Sequence, residues 1–281
     1  MTISAKTVSE LRERTGLGLM ECKRALEASN GDLEAAMDHL RKAGLKNADK
    51  RAGRKAGAGR VLSQFAADGR AGAMVLMTSE TDFVPPTEDF KGLLGKLTKL
   101  AFDARVPNAT ALLEQKLDGA GVIDTLKALT AKCGENVEVP QAAYFENRKG
   151  FVGGYIHHDQ KIAGFVSVTT DAAADKAQEF LKQLGMHITF ARPAALARES
   201  VPAADVERER SNCAGSEEVL AKPEAKREMI VQGMMQKWFA GRVLGEQPWF
   251  KDDKTTVKKM LESQLGAGAK IESFVLFQVG A

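Results

Sequence analysis

Three groups of residues in this chain are of types that do chemistry, and their spacing argues against most of it. His157 and His158 are adjacent at the end of an apolar run. Neighbours on a strand point to opposite faces, so the pair is not expected to chelate one metal. Cys22, Cys133 and Cys213 lie far apart and form no Cys-x-x-Cys pair, so neither a disulfide framework nor a zinc site is indicated. Gly266-Ala267-Gly268-Ala269-Lys270 lacks the spacing of a phosphate-cradling Walker loop. No Ser-His-Asp or Cys-His arrangement can be assembled. A covalent mechanism, a bound cofactor and a metal are therefore not expected.

What remains is recognition, and one stretch stands out for it. Thr78-Ser79-Glu80-Thr81-Asp82-Phe83-Val84-Pro85-Pro86 closes the apolar run Ala73 to Met77 and precedes a long amphipathic segment. An acid and a large aromatic, held between a strand end and two prolines, make a stiff corner. One reading has Phe83 folded back into the core and Asp82 capping the following helix. The other has the Asp-Phe tip protruding into a partner.

The elements that would position this corner follow from length and periodicity. With 281 residues, 44% hydrophobic and 27% charged, the chain is long enough for one large or two to three small globular domains. No apolar run approaches the length that spans a bilayer, and Met1 to Glu10 does not resemble a signal peptide. A cytoplasmic protein with no membrane association is expected. The net charge of +3 is local in origin, because Lys46 to Arg60 carries six basic residues against the single acid Asp49. Interspersed with Gly53, Gly57 and Gly59, this tract reads as a flexible linker over 46–60. It has no aromatics to stack on bases, so nucleic acid is not the expected partner.

Apolar stripes predict three short helices before that linker: Val8, Leu11 and Thr15, then Cys22, Ala25 and Leu26, then Leu33, Ala36, Met37 and Leu40. Asp32 is placed as an N-cap and Gly44 as a C-cap. Leu19 and Met20 fall in the first inter-helix turn as candidate contacts. After the linker, two strands around Asp68-Gly69 precede the corner and a helix through Phe90, Leu93, Leu94 and Leu97. A helix over 121–132 and a strand over 137–145 follow. The order then repeats: strands over 151–157 and 161–169, and a helix through Ala177, Phe180, Leu184 and Ile188. Val206 to Ala240 reads as a helical hairpin with a narrow apolar seam, a surface on which two copies could associate. Asp253 is placed as the cap of a helix through Val257 and Leu261. Ile271 to Val279, apolar on both faces, reads as a central strand.

Several stretches together resemble one family. Leu11-Arg12-Glu13-Arg14-Thr15-Gly16, Met20-Glu21-Cys22-Lys23-Arg24-Ala25-Leu26, Thr81-Asp82-Phe83-Val84, Gly134-Glu135-Asn136, Tyr155-Ile156-His157 and Gly185-Met186-His187 are similar, in order, to stretches of elongation factor Ts. That family is the guanine-nucleotide exchange factor of the translational GTPase EF-Tu. The resemblance implies an α+β fold: a ubiquitin-associated-like (UBA-like) three-helix module over 1–45, a core over 61–147, a second core part over 148–203 and 242–281, and an inserted coiled-coil hairpin over 204–241.

It also implies roles. Asp82 and Phe83, flanked by Thr81 and Val84, would wedge into the GTPase and disturb the region holding its Mg²⁺. His157 would pack near the phosphate-binding loop side, and Met20 and Lys23 would touch the nucleotide domain. Gly134 would make a core contact, and Gly233 and Met234 would face the other domains of EF-Tu. Here the corner ends in Pro85-Pro86, where the family usually has Ala and a basic residue; the prolines hold the exit from the corner extended. The competing reading is a chaperone-like scaffold that docks a partner through its first module, meets RNA with its basic tract and keeps Phe83 buried.

Overall fold

The computed structural model describes residues 3–280, the side chains at 41 and 45–47 aside. Met1, Thr2 and Ala281, which the expected domain bounds include, lie outside the described residues. In chain order the elements are α1 (Ala5–Thr15), α2 (Leu19–Ala28), α3 (Leu33–Arg51), β1 (Ala58–Phe65), β2 (Ala71–Ser79), α4 (Glu88–Asp103), α5 (Ala109–Leu113), β3 (Lys116–Leu117), β4 (Ala120–Gly121), α6 (Val122–Cys133) and β5 (Val137–Glu146). There follow β6 (Gly150–Ile156), β7 (Ile162–Thr169), α7 (Ala174–Ala191), α8 (Ala203–Ala214), α9 (Glu217–Leu220), α10 (Glu224–Ala240), β8 (Pro248–Trp249), β9 (Asp252–Thr256), α11 (Val257–Leu265) and β10 (Lys270–Gln278). The fold is α+β. It divides into two units, one drawn from the chain through Gln64, Ala73–Tyr144 and the segment from Gln278, the other from Phe65–Gly72 and Phe145–Phe277.

In the first unit, α1 to α3 share a small core of Val8, Leu11, Cys22, Ala25, Leu26, Ala36 and Leu40. Ser4 caps α1, its Oγ accepting from the Thr7 N–H at 3.1 Å. Asp32 caps α3 by accepting from the Ala35 N–H at 2.9 Å, as its placement before the apolar stripe predicts. Two expectations fail nearby. Gly44 does not end a helix: α3 runs on to Arg51. A Cβ at Gly44 would lie 2.8 Å from the Cβ of Ala131, so the glycine serves close approach of α3 to α6. Of the tract expected as a linker over 46–60, only 52–57 lies between regular elements. Leu19 and Met20 begin α2 rather than occupying the turn before it.

The sheet of this unit has the order β1-β2-β5. Against it α4 buries Phe90, Leu93, Leu94, Leu97 and Ala101, each large side chain contributing about 1.5–3 kcal/mol.

The second unit repeats this plan with a sheet of order β10-β7-β6, in which β6 and β7 pair antiparallel from Gly150↔Thr169 to Ile156↔Ala163. In each sheet the second strand of a hairpin is central, a helix follows it, and a strand from further along the chain completes the sheet. β10 is thus an edge strand, contrary to the reading of its apolar faces, because among the described residues β7 alone pairs with it. Asp253 lies in β9 and does not cap the next helix; Thr256 does, its Oγ1 accepting from the Lys259 N–H. Between α7 and β8 the chain makes the expected helical pair, α8 against α10, with Cys213, Val219, Val231 and Met235 buried in its seam. Arg210 of α8 pairs with Glu228 of α10 at 2.7 Å.

His187 of α7 is fully buried, stacked on Trp249 at 5.3 Å and hydrogen-bonded through Nε2 to Gln247 Oε1 at 3.0 Å. Among the described residues its Nδ1 has no partner, so a second proton would have nothing to bond. Burial holds its pKa below the ordinary 6.5, partly offset by the Gln247 bond. Above pH 6.5 both folded and unfolded imidazoles are neutral. As pH falls below that, the unfolded chain takes up a proton that the folded chain refuses, and stability drops. We expect the unfolding free energy, read from urea titrations, to fall below pH 6.5 with a slope of up to about 1.4 kcal/mol per pH unit from this group, and His187→Gln to remove that component of the slope.

Candidate functional site

The corner begins where β2 ends. Ser79 is buried and donates from Oγ to the Thr81 carbonyl at 2.9 Å. Val84, 6% exposed, drops into the core of the first unit, and Pro85 is buried beside it. Thr87 closes the second half: its N–H and Oγ1 both donate to the Val84 carbonyl, at 3.0 and 2.7 Å, and its Oγ1 accepts from the Phe90 N–H to cap α4. Asp82 therefore does not cap the helix. It is exposed, and Phe83 beside it is 82% exposed. The reading that buries Phe83 is overturned: the backbone is pinned on both sides of it, and neither pin turns the ring inward.

Further support comes from a loop 54 residues away in sequence. Gly134 ends α6 in the left-handed region, φ +80°, where a side chain would be strained. That turn presents Glu135, whose carboxylate accepts from the Thr81 N–H at 2.9 Å and from Thr81 Oγ1 at 2.6 Å. In the reverse direction Glu80 Oε1 accepts from the Asn136 N–H at 2.8 Å. Asn136 in turn donates from Nδ2 to the Arg54 carbonyl at 3.0 Å, and Arg54 reaches Glu80 at 3.7 Å. Gly134 is thus the turn that supports the tip. Glu80, Glu135 and Asn136 are the site residues that sequence reasoning missed as positioning groups; the Gly-Glu-Asn stretch was visible, its target was not.

With Glu135→Ala, Thr81 loses both acceptors. A charge-assisted bond of this kind contributes about 1.5–3 kcal/mol. We expect the Thr81 amide to exchange with solvent at least tenfold faster in hydrogen-exchange measurements while the β2 amides keep their protection; unchanged exchange at Thr81 would mean the corner is held by its prolines alone.

The other predicted site residues lie on separate elements. Met20 is 61% exposed on α2, and Lys23 is exposed one turn on, within 3.9 Å of Glu27. In α10 of the second unit, a Cβ at Gly233 would meet nothing within 4 Å, while Met234 is half-buried against the seam of the helical pair. Met229, two-thirds exposed, and Leu220, half exposed, are apolar side chains of the same pair that face solvent.

His157, half-buried, follows the last residue of β6. Its N–H donates to the Ile162 carbonyl at 2.9 Å, and its Nδ1 lies 3.1 Å from Asp159 Oδ1. Asp159 accepts from the Lys161 N–H at 2.9 Å, and that bond, with the neighbouring imidazoles, holds its carboxyl below the usual range. The expected divergence of His157 and His158 is not observed. The strand stops at Ile156, alternation lapses in the turn, and the two rings approach to 4.2 Å.

Among the described residues no cluster of three or more His, Cys, Asp or Glu could hold a metal ion. Burial pushes the thiols of Cys133 and Cys213 up, away from the reactive thiolate. No described helix is long and apolar enough to cross a membrane. In the first unit Asp82, Phe83, Met20 and Lys23 all face solvent, Phe83 and Met20 being large apolar side chains.

Comparison with known proteins agrees with the resemblance of the short stretches. A sequence model of the family described as Elongation factor TS matches residues 80–281. Elongation factor Ts of Thioalkalivibrio sulfidiphilus is 39% identical over 280 residues, covering all of this chain and 93% of the relative. That of Prosthecochloris aestuarii is 34% identical over 286 residues, 99% of each chain, and that of Clostridium acetobutylicum 37% over 283, covering 99% of this chain and 92% of its own. Matched over its whole length at such identities, the chain belongs to the elongation factor Ts family of translation elongation factors.

Proposed function

We propose that this chain is a guanine-nucleotide exchange factor: it binds EF-Tu, disturbs the Mg²⁺ and phosphate region of the GTPase and accelerates GDP release. The single observation that carries this reading is the exposure of Phe83 on a corner fixed by Thr81, Val84 and Glu135. An aromatic held in water costs the folded protein apolar exposure, and such a cost is recovered when a partner covers the ring.

The physical basis is linkage. A factor that binds the nucleotide-free GTPase more tightly than its GDP form must weaken GDP by the same factor. The Mg²⁺ of the GTPase bridges phosphate oxygens to protein and neutralises their charge, so displacing the groups around it loosens the nucleotide. Phe83 supplies the apolar displacing contact and Asp82 competes for polar groups left near the ion. His157 extends the contact on the phosphate side, Met20 and Lys23 hold the nucleotide domain, and Gly233 and Met234 meet the remaining domains. No bond is made or broken, so the chain acts by binding and not as an enzyme of covalent chemistry.

Stopped-flow release of fluorescent GDP from EF-Tu tests the reading. The chain is expected to accelerate release, and raising moderate salt to weaken binding little, since an apolar wedge is not screened. No acceleration overturns it. A complex abolished by moderate salt would instead favour the basic tract and RNA.

A further inference from the structure

The Gly185-Met186-His187 stretch carries a feature that the exchange reading does not use. His187 lies in the core of the second unit, its ring stacked within 10° of the plane of Trp249, which stacks in turn on Phe180 at 5.7 Å. Its Nε2 meets Gln247, itself 2% exposed. Gln247 spends both N–H bonds of its carboxamide on backbone, donating to the Ala191 carbonyl and the Gly241 carbonyl, each at 3.0 Å. Its oxygen is therefore the acceptor, and His187 is the donor from Nε2.

The two carbonyls mark the borders of the helical insertion. Ala191 is the last residue of α7, before the chain leaves for α8, and Gly241 caps α10 where the chain returns. One side chain thus ties the outgoing and incoming strands together. Around it, the Ala194 N–H donates to the Arg242 carbonyl at 2.8 Å and the Leu244 N–H to the Ala195 carbonyl at 2.9 Å. Arg198 pairs with Glu246 through two contacts of 2.6 Å. The Arg–Glu pair is partly exposed and contributes little rigidity in water; the His–Gln pair is buried, with His187 Nε2 and the whole Gln247 carboxamide engaged, so opening it leaves buried polar groups unpaired.

We propose that His187 and Gln247 are a positioning pair that locks the root of the α8–α10 arm to α7, so that the arm is carried in one orientation and does not pivot on its two backbone crossings. The lock is a property of the free chain. Only its consequence for EF-Tu, the placement of Gly233 and Met234, rests on the exchange reading.

Paired spin labels at Lys182 of α7 and Lys226 of α10, both exposed, read the arm's orientation, in a chain whose half-buried Cys133 is serine. The wild type is expected to give one narrow distance distribution. His187→Phe keeps the stacking and loses the donor; Gln247→Met keeps volume and leaves both carbonyls bare. Each is expected to broaden the distribution, since losing a buried partner shifts a local equilibrium by roughly 5- to 150-fold. His187→Gln, which restores an N–H near Nε2, is expected to narrow it again. A urea midpoint that falls while the distribution stays narrow in both His187→Phe and Gln247→Met overturns the proposal, because the pair is then core packing only. Broadening without any effect of the wild type on GDP release leaves the lock standing and removes the exchange reading.

Discussion

Phe83→Ala is expected to unfold at the same urea concentration as the wild type and to lose most of the acceleration of GDP release. The first half follows from exposure: an 82% exposed ring has little folded-state packing to lose, so its removal moves stability by no more than about 0.5 kcal/mol. The second half follows from what a buried aromatic contributes at the centre of an interface. Truncating such an anchor costs about 2–4 kcal/mol of binding, roughly 30- to 1000-fold. If, as proposed, the contact is made with the altered state of the GTPase and not with its resting GDP form, the loss is expected in the rate of release. An unfolding free energy lowered by several kcal/mol would mean that the ring is packed in solution. Full exchange activity in a folded Phe83→Ala would move the wedge to another residue.

Gly185→Val is expected to be the most destabilising substitution considered, with Gly185→Ala behind it. The position is in the middle of α7, where glycine costs about 1 kcal/mol relative to alanine, so helix propensity alone would make Ala stabilising. The packing argues the reverse. A Cβ at Gly185 would stand 2.5 Å from the Tyr155 nitrogen and 2.8 Å from the Gly154 carbonyl carbon. Those are backbone atoms of β6 and cannot rotate away. From the other side, a Cβ at Gly164 would meet the Gly185 carbonyl at 2.6 Å. Over-packing of this kind costs about 1–3 kcal/mol for one methyl, which outweighs the propensity gain, and valine adds two more carbons. Urea unfolding monitored by tryptophan fluorescence should show the loss directly. The strained stretch leads into His157, so hydrogen exchange at the end of β6 should rise before the rest of the unit; a stability gain in Gly185→Ala would show that α7 can lift off the sheet at little cost.

The order of elements was legible in the sequence because it rests on local chemistry. Asp32, the turn at Asp68-Gly69 and the periodic stripe of Phe90 to Leu97 each act within a few residues, and each is found as expected. Two kinds of departure separate: the cap at Thr256 in place of Asp253 and the approach of His157 to His158 are local, and the others arise from action at a distance. Gly44 reads as a helix end until Ala131 is brought against it. Phe83 by type allows either a buried or a protruding reading, and Glu135, with the anchors at Ser79, Val84 and Thr87, holds the corner that faces outward. The apolar faces of β10 suggest a central strand, but pairing with β7 alone among the described residues makes it an edge. Asp82, Phe83 and Met20 were legible as candidate contacts from residue type and position, whereas Lys23, His157, Gly134 and Gly233 came from the resemblance, since they carry no local signature of binding.

The repeated sheet plan has a consequence for the moment of synthesis. The first sheet takes its third strand from β5, directly after α6, and can close while the rest of the chain is still being made. The second takes its third strand from β10, the last element, after the helical insertion and α11 have been added. Until then one side of β7 offers an unpaired row of backbone donors and acceptors. A stalled or truncated chain lacking Lys270–Gln278 therefore leaves the ribosome with an open, adhesive edge on β7.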